Sequence, residues 1–416
     1  MFKKEKLSPL KLSITLQTLI AMVLGIVVGA FFGKNLLFLG EVSRLLVNAI
    51  KFLAMPLLFL TITDGFLRSE FKGRGFIALL FVSGFNAVCA VSIALMISNF
   101  FKPGRWLSLQ LPADSVFSSD GLWLKNLNAM LPNQGIGSLL TGTTLVIFIS
   151  LLTGSSLLLL RNTFLKHRQD WFTKLTCLMD WGLHQLFFLV DVIVLFLPLA
   201  VFCAVVKAIG AQGLTIAKGL LAYFLACSSG MAFHILLIYQ TWIRQFGKID
   251  LRFFWRSVLD PALYAFGINS SLATLPVTLK ALDRLKVSPA SARLSACVGT
   301  NFNNDGILLY EVVAALFLMQ AYGISLPLKS QLFVAVISIV ACIGVAGIPE
   351  AGIISLTIVL SCTGLPTEAI TFLLAIDWVL ARMRSFTNVL GDITVAVVID
   401  RLTSMGRFSE NPKLLK

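Results

Sequence analysis

Apolar runs of 18 or more residues, each long enough to cross about 30 Å of hydrocarbon as a helix, recur along this chain. They lie at Leu12–Phe32, Leu45–Ile62, Phe76–Phe101, Leu139–Leu160, Leu186–Val206 and Leu214–Tyr239. No other feature constrains the fold as tightly, because backbone polar groups in lipid have to be satisfied within the protein, as a helix does within one segment. Charged residues make up only 13% of the chain, against about 25% in soluble domains, so an all-α polytopic membrane protein is expected. The first run follows MFKKEK and resembles a secretory signal, but its apolar part exceeds the roughly 7 to 15 residues of such a segment. It reads as a retained helix.

The net charge of +14 raises the question of nucleic acid, and its distribution answers it. With sides alternating span by span, the segments KKEKLSPLK, RSEFKGR, RNTFLKHRQDWFTK, IRQFGKIDLRFFWR, LKALDRLKVSPASAR and the tail share one side and hold 23 of the 34 Lys and Arg. The basic excess marks the cytoplasm, which places both termini inside. No basic, aromatic-rich soluble module exists to bind nucleic acid. The compact length and the lack of a targeting extension predict a bacterial inner membrane.

The seven Cys lie in or beside apolar segments without paired short spacings, and His167, His184 and His234 share no metal-ligand spacing. Neither a Gly-x-Ser-x-Gly elbow nor a phosphate-cradling loop is present. The chain is not expected to be an enzyme or to need a cofactor.

Residues 102–138 form the one long polar insert, an expected external loop. Beyond Arg256 the apolar segments become interrupted. FGINSSLATLPVTLK and ACIGVAGIPEAGIISLTIVLSCTGLP each carry a Gly, Pro or Ser break and precede a longer helix. They read as two re-entrant hairpins or, alternatively, as two kinked ordinary spans. Paired broken segments in corresponding halves point to a transporter's binding site, and flanking charge makes the first enter from the cytoplasm and the second from outside.

Between ASARLSACVG and VVAALFLM stands TNFNNDGILLYE, polar where one hydrophobic helix is otherwise expected. Asn301, Asn303, Asn304 and Asp305 supply oxygens of the kind small hard cations require, with Gly299 and Gly306 loosening the helix. The last span, AITFLLAIDWVLARMRSFTNVLGDITVAVVID, places Asp377, Arg384, Asn388 and Asp392 within an arc of about 80°, while Arg382 points elsewhere. Intramembrane charges mark ion or solute paths by default, and a guanidinium fork suits a carboxylate. The alternative is a structural salt-bridge core, Asp305 with Arg382 for instance. Glu311, inside the following apolar run, is a candidate proton carrier or a Glu sharing its proton with a backbone carbonyl. Ser270 and Ser271 at the first hairpin tip are candidate caps for a carboxylate.

SSLATLPVTLK, NNDGILLYE, AGIPEAG and DWVLARMRSFTNVLGD resemble motifs of the dicarboxylate/amino acid:cation symporters, the glutamate transporter or sodium:dicarboxylate symporter family, and the likeness covers most of the chain. The resemblance implies a homotrimer with eight transmembrane helices and two oppositely oriented hairpins, working as an elevator. The partition is scaffold helices 1 to 3 over 1–101, the third partly in the transport domain, the loop 102–138 and helices 4 to 6 over 139–241. There follow hairpin 252–286, broken helix 289–324, hairpin 329–365, the last helix 366–400 and a cytoplasmic tail 401–416.

It further implies substrate contacts from Ser271, Ile348, Gly352, Arg384, Ser385 and Asn388, and cation sites from Gly299, Asn301, Asn303, Asp305, Asn388 and Asp392. Glu311 and Arg382 match positions of the animal excitatory amino acid transporters, which brings proton or potassium coupling into view. Departures accompany the match. Ala381 stands where an aspartate binds the substrate's amino group, Asn304 and Ile307 replace the motif's Met and Thr, and Ser83, Asn86 and Ala87 stand at third-span positions where Tyr and Thr-Ser are expected. The family's three-sodium stoichiometry therefore does not carry over.

The expected activity is symport of a small acidic solute, glutamate or aspartate or a C4-dicarboxylate, driven by sodium, protons or both. Alternatives are an anion channel lined by Arg382 and Arg384, a carrier of neutral amino acids, and a solute receptor. The receptor is disfavoured because no sizeable soluble domain is present to relay a signal.

Overall fold

A computed structural model of the chain describes residues 14–32, 74–109, 169–213, 215–343 and 351–408, with parts of 35–63 and 149–160. Every regular element among them is helical. The expected spans Leu45–Ile62 and Leu139–Leu160, most of the loop after Leu109, and Ile348 and Glu350 in the second hairpin lie wholly or largely outside the described residues.

The helices are α1 (Ile14–Phe32), α2 (Arg74–Phe101), α3 (Gln169–Leu195), α4 (Leu197–Gln212) and α5 (Thr215–Phe233), the last continued by π-helical stretches at His234–Tyr239 and Trp242–Gly247. Next come α6 (Leu251–Ile268), α7 (Ser271–Arg284), the short α8 (Pro289–Arg293), α9 (Asp305–Ala321), α10 (Leu328–Ile343), α11 (Ala351–Thr363) and α12 (Ile370–Phe408). Among the described residues, Arg74–Phe101, Ile216–Gly247 and Pro289–Ala321 are long and apolar enough to cross a membrane.

The apolar run Leu186–Val206 does not form one continuous helix. It is divided at Phe196 between α3 and α4, because Pro198 lacks the N–H that would continue the ladder. α4 packs along α1.

α9 lies at the centre, against α2, α5, α10, α11 and α12. Of its residues only Gln320 escapes burial, as expected of a helix apolar on every face. α6 and α7 form an antiparallel pair against α12. Asn269 ends α6 in the left-handed conformation, φ 59°, and the next residue, Ser270, caps α7 by accepting the Ala273 N–H at 3.2 Å. The joint is therefore two residues long. α10 and α11 form a second pair against α9.

Candidate functional site

The polar break before α9 is built in steps. α8 starts behind the Ser288 cap, Leu294–Val298 widens to a π-helical turn, Gly299–Asn301 tightens to a 3₁₀ turn, and helical geometry lapses before Asp305. The Gly299 carbonyl accepts from Phe302 N–H at 2.8 Å and Asn303 N–H at 2.9 Å.

Asn304 occupies the N-cap of α9, where an Asn side chain ordinarily accepts from its own helix, yet it makes no such bond. Asn388 of α12 caps α9 in its place, its Oδ1 accepting the Gly306 N–H at 2.8 Å. Asn304 thereby reaches two other elements. Its Nδ2 donates to the Cys342 carbonyl in the last turn of α10 at 3.0 Å, and its Oδ1 accepts from Asn388 Nδ2 at 3.3 Å.

Asp305, 1% exposed, accepts two bonds on Oδ2, from Tyr239 Oη at 2.7 Å and from His234 Nε2 at 3.1 Å. On an α-helix residues five apart diverge by about 140°, whereas a π-helical turn brings i over i+5. The π-helical stretch His234–Tyr239 is what turns both groups toward one carboxylate. Oδ1 of Asp305 is buried and meets no donor among the described residues.

A second chain of bonds crosses four elements. Trp242 Nε1 donates to Asn86 Oδ1 at 2.8 Å, Asn86 Nδ2 to Asn303 Oδ1 at 3.4 Å, and Asn303 Nδ2 to Asp392 Oδ1 at 3.2 Å. Gly391 permits this approach. A Cβ there would lie 2.4 Å from Asn303 Nδ2 and 2.5 Å from Tyr239 Oη.

Arg384 is 3% exposed and Asp377 2%. The guanidinium holds the carboxylate with two bonds, Nη1 to Oδ1 at 2.7 Å and Nη2 to Oδ2 at 3.2 Å, and its Cζ sits 4.0 Å above the Tyr310 ring centroid. Gly352 of α11 faces the same group, since a Cβ there would lie 2.6 Å from Arg384 Cζ. The salt-bridge alternative of Asp305 with Arg382 does not form. Arg382 Nη1 donates instead to the Trp378 carbonyl at 2.6 Å.

Asn303, Asp305, Asn388 and Asp392 thus share one buried cluster with the break, and Arg384 and Gly352 meet beside Tyr310. Ser385 reaches the first joint, its Oγ donating to Asn269 Oδ1 at 3.0 Å. Ser271 is the half-buried first residue of α7. Asn301, two residues before Asn303, donates back to the Val298 carbonyl at 3.4 Å. Glu311 is fully buried beside Ser355 of α11, and neither of its oxygens has a donor in hydrogen-bond geometry among the described residues. Ile348 is outside those residues.

Sequence reasoning assigned no role to His234, Tyr239 or Trp242. The available signal was their polarity inside an apolar run, which is costly unless satisfied. The five-residue spacing of His234 and Tyr239 matched no α-helical face.

Fold and cluster together define a class, a helical membrane protein with a buried polar centre between a broken helix and a charged one. Residues 14–402 match the sodium:dicarboxylate symporter family, and the chain belongs to that family. Among curated proteins it is 35% identical to excitatory amino acid transporter 3 of Mus musculus over 221 residues, 52% of this chain and 42% of the relative. Similarity to excitatory amino acid transporter 4 of Rattus norvegicus is 42% over 147 residues, 35% of this chain and 26% of the relative. For excitatory amino acid transporter 1 of Bos taurus the identity is 34% over 218 residues, 52% of this chain and 40% of the relative. The chain spans less than half the length of each of these relatives.

Proposed function

We propose that this chain is a secondary active symporter that couples sodium, protons or both to the movement of a small acidic solute, glutamate or aspartate or a C4-dicarboxylate. The observation that carries this reading is the buried Arg384 guanidinium, which already grips a carboxylate in two-point geometry at the middle of α12. Such a fork holds a solute carboxylate equally well. Asp305 Oδ1, a buried carboxylate oxygen without a donor among the described residues, suits a cation, and membership of a sodium symporter family supports sodium as that cation.

The finer architecture belongs to the same proposal. α6–α7 and α10–α11 serve as oppositely oriented re-entrant hairpins, and with the broken helix and α12 they form a transport domain that moves as an elevator against a scaffold of earlier helices. The complete protein has eight transmembrane helices and works as a homotrimer in a bacterial inner membrane with both termini cytoplasmic. Ser271, Ile348, Gly352, Arg384, Ser385 and Asn388 contact solute. Gly299, Asn301, Asn303, Asp305, Asn388 and Asp392 contact cations, and Glu311 and Arg382 serve coupling, Glu311 as the proton carrier.

The choice between amino acid and dicarboxylate turns on the amine. Ala381 is 1% exposed and brings no acid to the face it shares with Arg384, while Asp377 is engaged by that arginine. Both facts favour a solute without an ammonium group, whereas the relatives' names favour an amino acid. Uptake of radiolabelled aspartate and succinate into proteoliposomes, with sodium and pH gradients imposed separately, decides between them. Accumulation of neither solute under any gradient overturns the proposal, and substrate-independent current without accumulation assigns the chain to the channel class.

A further inference from the structure

The far end of α2 carries a separate feature, remote from the polar cluster. Lys102 adopts the left-handed conformation, φ 47°, and opens a 3₁₀ turn at Pro103–Trp106. The turn is wedged between two helices. A Cβ on Gly104 would lie 2.2 Å from the Phe317 carbonyl of α9, and a Cβ on Gly219 of α5 would lie 2.7 Å from that of Leu107. Gln320 fastens it further, accepting the Gly104 N–H at 3.0 Å and donating to the Ser98 carbonyl at 2.8 Å. Leu109 N–H donates to the Ala321 carbonyl at 2.8 Å. This is a fixed support for the side chains it carries.

Lys102 caps the turn from just outside its 3₁₀ segment, and the Arg105 N–H donates to the Lys102 carbonyl at 3.1 Å. Lys102 and Arg105 both line one cavity of about 270 Å³, together with Asn99, Gln320 and Gln331. Among the described residues no Asp or Glu lines it and neither cation is in an ion pair. Two like charges lining one cavity repel, and an anion between them offsets that repulsion.

At the same level Phe100, Phe101 and Trp106 are 79%, 58% and 63% exposed. An exposed Trp at the end of a membrane-crossing helix marks the boundary between acyl chains and headgroups, and α2 is long and apolar enough to be such a helix. Basic residues at that level meet headgroup phosphates.

We propose that this cavity binds the phosphate of an anionic phospholipid, held by Lys102 and Arg105, with Phe100, Phe101 and Trp106 against the acyl chains. Its walls join the ends of α2 and α9 to the start of α10. A lipid seated there bears on the broken helix and on the helix whose far end Asn304 holds.

The test uses the full chain reconstituted in phosphatidylcholine vesicles containing phosphatidylglycerol, with co-purifying lipid counted by native mass spectrometry. The wild type is expected to retain phosphatidylglycerol over phosphatidylcholine by about 25-fold, about fivefold per basic residue, the factor that corresponds to about 1 kcal/mol each. K102Q/R105Q is expected to approach parity, and K102R/R105K to keep the preference. Where the double glutamine variant fails to fold, K102Q and R105Q singly each lose about fivefold. An unchanged preference in the glutamine variants overturns the proposal. Displacement of the lipid by inorganic phosphate or glycerol phosphate also overturns it, in favour of a soluble anion. The readout requires no transport, so it stands apart from the proposed function.

Discussion

Arg384 and Asp377 lie seven residues apart on α12 and form a two-point ion pair at 2.7 and 3.2 Å, with each side chain 3% exposed. The Tyr310 ring lies against one face of the guanidinium, and Gly352 leaves room for it on the side of α11. A solute carboxylate that takes Arg384 has to compete with, or add to, the bond already made to Asp377.

Arg384→Ala is therefore expected to abolish uptake of acidic solutes, because a buried carboxylate would lose its paired charge. Proteoliposome uptake checks this, and unchanged acidic-solute transport contradicts the assignment.

Asp377→Ala removes the other partner and leaves the guanidinium buried without it, at a cost of about 3–5 kcal/mol. Thermal unfolding in detergent should show a less stable protein, and a saturating acidic solute should recover more stability in the variant than in the wild type. Equal stabilisation by solute would mean that the solute does not displace Asp377 from Arg384.

Asn304→Leu takes the donor from the Cys342 carbonyl and a partner from Asn388. Each buried group left unsatisfied costs about 1–3 kcal/mol. Amide exchange in the last turn of α10 is expected to quicken while the centre of α9 stays protected.

Glu311→Gln keeps the side-chain shape and removes the titratable proton. If Glu311 carries a proton inward with solute, wild-type uptake rises as the outside is acidified and the variant's response is flat, with sodium-driven uptake retained. The check is initial rate against an imposed pH gradient at constant sodium. An undiminished response places the proton site elsewhere.

Tyr239→Phe deletes one of the two bonds to Asp305 Oδ2. A hydrogen bond to a charged group contributes about 1.5–3 kcal/mol, so the variant should unfold at a lower temperature than the wild type. A change of that size would show that Tyr239 supports the carboxylate, whereas no change would leave His234 sufficient.

Much of the polar centre is visible in one dimension because burial in lipid penalises each charge that has no purpose there. Asp305 and Glu311 interrupt an apolar run, and the 100° periodicity puts Asp377, Arg384, Asn388 and Asp392 on one face of α12. Partnership is a different matter. The pairing of Arg384 with Asp377 depends on rotamers, and the capping of α9 by Asn388 in place of Asn304 depends on how closely two helices approach. His234 and Tyr239 converge on Asp305 only because the helix there is π-helical, and nothing local in AFHILLIYQ announces that change of pitch.

By itself the sequence determined the membrane-helical class, the family and the residues too polar to be idle, since hydropathy and charge are properties of residue type and order. The tertiary structure alone decided which of those polar groups neutralise one another and which, like Asp305 Oδ1, are left facing no donor among the described residues. Such pairings rest on sub-ångström differences in the separation of chain segments as far apart in sequence as Asn86 and Asn303, and no local pattern encodes that geometry.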